Sequence, residues 1–130
     1  MSMYKDVGSL KKGGYVIIDG EPCEVVSVEK SKPGKHGSAK VRLVAVGLFD
    51  DVKRDMVAPA DKKVEVPIVE KKKAQVISTA PDSIQIMDLE TYNTFEVKPP
   101  TDQDLLSKLK PGVEVEYWES MGKVKIVRLL

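Results

Sequence analysis

Apolar residues fall on alternate positions along most of this chain, and turn-forming residues interrupt the alternation at short intervals. In the first half the pattern predicts strands over Tyr15 to Asp19, Glu21 to Lys30, Ala39 to Phe49 and Val64 to Val69, with a further short strand over Val52 to Val57. Turns are supplied by Asp19-Gly20, by the stretch from Gly47 to Asp51 and by Pro59-Ala60-Asp61. Short strands with turn punctuation and no helical period fit a small, strongly bent sheet or barrel of the SH3-like kind.

At Pro67-Ile68-Val69-Glu70 the apolar pattern stops, and Lys71-Lys72-Lys73 follows as a domain junction or a polar strand edge. The alternation then resumes over Ala74 to Ser78, Ser83 to Asp88, Thr94 to Lys98, Val113 to Glu119 and Lys123 to Leu129. Thr101 to Lys108 reads as a short helix. Thr101 would cap it, Asp102 and Asp104 sit in its first turn, Leu105, Leu106 and Leu109 form its apolar stripe, and Pro111-Gly112 ends it. Five strands with a helix between the third and fourth is the OB order. The expected architecture is therefore all-β; each half repeats a complete set of short strands, which places a boundary near Glu70, although 130 residues also suffice for a single barrel.

Composition narrows the function classes. The chain has 130 residues, 42% apolar and 32% charged, as in a soluble globular protein of one or two small domains. No apolar run approaches the roughly 18 residues of a membrane span, and Met1 to Asp6 lacks the apolar core of a signal peptide, so a cytosolic location is expected. Cys23 is the only cysteine and His36 the only histidine, which leaves no intrachain disulfide and no zinc-ligand spacing. Between Pro22 and an apolar strand, Cys23 is expected to be a small buried hydrophobe, because no second histidine is present to serve it as a base.

The charge is placed rather than spread. From Glu29 to Arg42 the chain carries Lys30, Lys32, Lys35, Lys40 and Arg42 against Glu29 alone, although the formal net charge of the whole chain is +1. From Lys71 to Leu130 the count is 9 basic and 9 acidic residues. The aromatic residues of this second half, Tyr92, Phe95, Tyr117 and Trp118, suit core or rim positions better than a stacking platform, since a single-strand binding groove also needs positive charge. This half is expected to position the protein by shape and scattered polar contacts.

The basic segment Ser31-Lys32-Pro33-Gly34-Lys35-His36-Gly37-Ser38-Ala39-Lys40 lies between two predicted strands and reads as a hairpin loop. Pro33 fixes its own φ, while Gly34 and Gly37 permit a tight reversal that leaves Lys35 and His36 at the tip. Such a tip suits a phosphate backbone, with Lys30, Lys32, Lys40 and Arg42 as RNA-binding candidates; a solvated basic turn has the same composition. An exposed lysine has a reference pKa of about 10.4 and is protonated at neutral pH, so Lys35 does not suit amine catalysis. No carboxylate pair, nucleophile elbow or phosphate-binding glycine loop occurs elsewhere, and no catalytic residue is assigned.

Pro33-Gly34-Lys35-His36-Gly37, followed by Ala39-Lys40-Val41, resembles the modification loop of the translation initiation factor 5A family, relatives of bacterial elongation factor P. The likeness extends through Leu10-Lys11-Lys12-Gly13-Gly14-Tyr15 to Glu24-Val25 and covers essentially the whole chain, with its most specific part in the loop. Pro33 and Ser38 place it nearer to archaeal than to eukaryotic members. The resemblance implies two domains, an SH3-like domain over residues 1–70 that carries the modification hairpin, followed by an OB-fold of RNA-binding type over residues 71–130. It implies that Lys35 receives a spermidine-derived aminobutyl group from deoxyhypusine synthase, giving deoxyhypusine or, after hydroxylation, hypusine. It further implies a factor that binds the ribosome at its exit site, meeting ribosomal RNA and peptidyl-tRNA, and relieves stalling at consecutive prolines. A monomer or weak dimer is expected, with Val44 and Val46 open as core or interface. The alternative is an unmodified, structural RNA-binding module of ribosomal-protein type.

Overall fold

The structure is a computed structural model and describes residues 3–31 and 39–130. The chain divides between Ile68 and Val69 into two units, each with its own hydrophobic core. The junction lies just before the first strand of the second unit.

In the first unit, β2 (Tyr15–Ile18), β3 (Glu21–Ser31), β4 (Lys40–Gly47) and β5 (Lys53–Pro59) form an antiparallel sheet in that order. A separate ribbon joins β1 (Met3–Asp6) to β6 (Lys63–Val66). Val16, Ile18, Cys23, Val25, Val41, Leu43 and Ala45 fill the concave side with Val7, Leu10, Val64 and Val66. β1 carries no alternation to announce it, because Met3 and Tyr4 are both exposed; its place comes from pairing with β6 and an ion pair between Asp6 and Lys63.

The register of the β3–β4 hairpin shifts once. Val25 pairs with Ala45 and Ser27 with Val44, so Val26 is the extra residue of a β-bulge. Side chains of partnered residues share a face of the sheet, and the bulge reverses the parity of β3: Cys23 and Val25 point inward before it, Val28 inward after it, opposite Leu43. Val26 is left 37% exposed.

In the second unit, β7 (Glu70–Thr79), β8 (Ile84–Asp88), β9 (Thr94–Val97), β10 (Glu114–Ser120) and β11 (Lys123–Leu129) form one antiparallel sheet in the order β11-β10-β7-β8-β9. Its core holds Ala74, Val76, Ile84, Ile86, Val97, Val115, Tyr117 and Ile126. The lysine run is part of a strand: Lys71, Lys72 and Lys73 stand opposite Trp118, Tyr117 and Glu116. Helix α1 (Gln103–Lys108) lies between β9 and β10. Its N-cap is Asp102, not Thr101, because the Asp102 carboxylate accepts from the amides of Asp104 at 3.0 Å and Leu105 at 3.4 Å. Leu105 and Leu106 pack against the core, and Leu109 closes the end of the helix. The protein is thus all-β, an SH3-like curled sheet followed by an OB-fold with one short helix. No helix among the described residues is long and apolar enough to cross a membrane.

Candidate functional site

The β3–β4 hairpin forms the stem of the site. It is continuous from Cys23 opposite Gly47 to Ser31 opposite Lys40, and the Ser31 hydroxyl donates to the Lys40 carbonyl at 3.3 Å across its end. At roughly 3.3 Å per residue, Ser31 stands about 20 Å along the strand from Val25. Beyond it, Lys32, Pro33, Gly34, Lys35, His36, Gly37 and Ser38 lie outside the described residues.

The remaining basic candidates divide between two faces. On β4 the odd positions Val41, Leu43 and Ala45 are buried, so Lys40 and Arg42 share the outward face, with half-buried Val44 and Val46 following them. Lys30 pairs with Val41 and therefore belongs to the inward face, at the open end of the sheet. The three do not form one cluster. Arg42 stands between Glu29 and Val57 in the register, and its guanidinium is 3.7 Å from the Asp55 carboxylate, both side chains largely exposed. An exposed pair of this kind contributes little and can exchange for another anion.

The base of the stem is fixed by a contact the sequence did not announce. Arg54 on β5 donates to both oxygens of Asp50, at 3.2 and 2.8 Å, and the Val52 amide donates to the same carboxylate at 3.1 Å. The Arg54 hydrogen bonds hold the Asp50 carboxyl down at about 2. Cys23 packs beneath this group with no exposed surface; burial pushes its thiol up, against the opposing charge of Arg54, and its Sγ lies 3.3 Å from the Glu21 carbonyl. The expected packing role of Cys23 fits this position.

A second unannounced contact organises the OB-fold. The Asp88 carboxylate, 4% exposed, accepts from the Tyr117 hydroxyl and from the amides of Glu90 and Thr91 at 2.8 Å each. These bonds, the hydroxyl foremost, lower its pKa, while burial and the carboxylate raise that of Tyr117. Tyr117 also meets Phe95 edge-on, with ring centroids 5.4 Å apart. Both aromatics serve the core. Trp118 donates from Nε1 to Glu116 at 3.0 Å and lies under the Lys71 ammonium, 4.6 Å from the ring centroid. Lys72 is bound by Glu119 at 2.9 Å and Glu70 at 3.3 Å, and Arg128 by Glu116 at 3.3 Å. Tyr92 stands 70% exposed in the β8–β9 turn. Among the described residues, no group of three or more His, Cys, Asp or Glu is arranged to hold a metal ion.

Known proteins match both units. Residues 2–62 match a family described as translation initiation factor 5A-like, N-terminal, and residues 68–129 one described as eukaryotic elongation factor 5A hypusine, DNA-binding OB fold. Translation initiation factor 5A of Korarchaeum cryptofilum is 64% identical over 121 residues, covering 93% of this chain and 90% of the relative. That of Metallosphaera sedula is 57% identical over 126 residues, covering 97% and 96%. Among solved structures, translation initiation factor 5A from Methanococcus jannaschii superposes with a TM-score of 0.91 at 50% identity, covering 99% of this chain and 95% of that one. A family protein from Naegleria fowleri gives 0.82 at 34% identity, covering 98% and 97%. With both units matched and curated relatives 57–64% identical across nearly the whole chain, this protein belongs to the translation initiation factor 5A family.

Proposed function

We propose that this translation factor binds the ribosome at the exit site and projects an aminobutyl-modified Lys35 toward the acceptor end of peptidyl-tRNA, promoting peptide-bond formation where consecutive prolines stall it. The observation that supports the reading is the sequence Gly34-Lys35-His36-Gly37, which falls in the chain segment connecting β3 to β4, the longest hairpin stem of the first unit, in a chain of this family. A lysine is a short cation. An aminobutyl group from spermidine lengthens it and adds a second amine, so one side chain carries two positive charges and several donors into a cavity walled by RNA.

The glycines serve twice, admitting the tip to the pocket of deoxyhypusine synthase and later to the ribosome. His36 packs or hydrogen-bonds beside the modified side chain. Lys32, Lys40 and Arg42 contact RNA phosphates, and the shared outward face of Lys40 and Arg42 supports their acting on one strand. The relatives are named translation factors, and the chain acts as a substrate of its modifying enzyme rather than as a catalyst.

Lys35→Arg keeps the charge and blocks aminobutyl transfer. In reconstituted translation of a message encoding consecutive prolines, the variant is expected to fall to the level seen without the factor, while binding ribosomes weakly and folding normally. Full activity of Lys35→Arg would remove the modification from the mechanism. A plain lysine with stable, stoichiometric residence on ribosomes would favour the structural-module alternative.

A further inference from the structure

Strand β3 is 11 residues long, and β2, its neighbour on one side, is 4. The ladder to β2 covers Glu21 to Glu24. One residue further, Val25 exchanges backbone hydrogen bonds with the turn Lys11-Lys12-Gly13-Gly14: its carbonyl accepts from Gly13 at 2.9 Å and its amide donates to Gly14 at 2.8 Å. Gly13 takes φ +91 to make that turn. From Val26 to Ser31, β3 has β4 on one side and, among the described residues, no strand on the other. It is an extended backbone with an open edge.

A groove runs along that edge. It is lined by Lys11 and Lys12 on the turn, by Lys30 and Ser27 on the strand, and by the aliphatic side chains of Leu10, Val26 and Val28. All three lysines are exposed, and none has a carboxylate partner among the described residues. The nearby acid on β3, Glu29, faces the other way, in register with Arg42. The bulge creates this composition: by reversing parity it turns Val28 and Lys30 toward the groove and leaves Val26 unburied.

We propose that this groove is a docking site for an extended acidic segment of a partner protein, which adds as a strand to the open edge of β3. An open edge supplies main-chain donors and acceptors to any extended chain, and alternating side chains would set specificity. Carboxylates of the added strand meet Lys11, Lys12 and Lys30, and aliphatic side chains between them meet Val26 and Val28. A nucleic-acid strand fits less well, because the lining holds no aromatic residue on which a base could stack.

The test uses the full chain, unmodified and isotope-labelled, with a short capped peptide of repeated Glu-Glu-Val-Val, which puts both residue types on each face of an added strand, and, separately, an oligouridine of equal charge. Neither ribosome nor modification enters, so its failure is separate from that of the proposed function. The peptide is expected to shift the amide signals of Val26 to Ser31 and slow their hydrogen exchange, while oligouridine leaves that exchange unchanged. Reversing two exposed charges, Lys11→Glu with Lys12→Glu, is expected to weaken the peptide about tenfold. Lys30→Glu tests the strand side of the groove should the double variant fold poorly. Absence of a shift, shifts without slowed exchange, or equal protection by oligouridine would each overturn the proposal.

Discussion

In the OB-fold several charged side chains are held by partners: Lys72 lies between Glu70 and Glu119, Arg128 reaches Glu116, Lys108 reaches Asp104, and Asp88 is buried against Tyr117. In the SH3-like unit Lys11, Lys12, Lys30 and Lys40 are exposed with no carboxylate partner among the described residues, and the pair of Arg42 with Asp55 is loose. The two units are of similar size and carry similar residues. Both units hold ion pairs, Arg54 with Asp50 and Lys63 with Asp6 in the first; the difference is that the SH3-like unit also gathers exposed lysines, Lys11, Lys12 and Lys30, along one groove.

The buried carboxylate is the sharpest place to break that contrast. Asp88→Ala leaves the Tyr117 hydroxyl and the Glu90 and Thr91 amides without an acceptor in a closed environment, and is expected to destabilise the OB-fold by about 2–4 kcal/mol. Denaturant unfolding followed by Trp118 fluorescence reads that unit, with signals from the SH3-like unit unmoved. A smaller loss is expected in the first unit from Gly47→Ala. A Cβ there would overlap the Asp50 carboxylate, which could move only by giving up Arg54 or Val52. The expected cost is about 1–2 kcal/mol, read as earlier unfolding of the SH3-like unit.

The smallest effect is a matter of pH. Asp50 is held at about 2, below its ordinary 3.8, so its contribution is complete above about pH 4 and fades as the pH falls toward 2. Its side chain is 33% exposed, which limits the contribution to about 1 kcal/mol and makes it sensitive to salt. Asp50→Asn is expected to flatten that acid limb. The OB-fold has an acid limb through Asp88 that resists salt, and also an alkaline one: the hydroxyl of Tyr117 is held above its ordinary 10.0, so stability present below pH 10 is lost as the pH rises beyond it. Thermal melts at low and high salt across both limbs separate the two units.

Most strands were legible because one face of each is buried, and burial writes alternation into the sequence: Val41, Leu43 and Ala45 against Lys40 and Arg42 is the plainest case. β1 was not legible, since Met3 and Tyr4 both face solvent and only pairing with β6 makes it a strand. The lysine run was ambiguous for a similar reason, with its partners Trp118, Tyr117 and Glu116 more than forty positions away. Asp102 displaced Thr101 as the helix cap because a carboxylate one residue later reaches two amides. The bulge at Val26 had the largest consequence for the site. It divides Lys30 from Lys40 and Arg42, a separation that the charge count from Glu29 to Arg42 conceals.

Whether Lys35 is modified is the point on which the functional account turns, and fragmentation mass spectrometry of the peptide spanning Lys32 to Lys40, from protein purified out of its native cell, addresses it directly. The account predicts one added aminobutyl unit on Lys35, with or without one further oxygen. An unmodified lysine at that position in growing cells would contradict it.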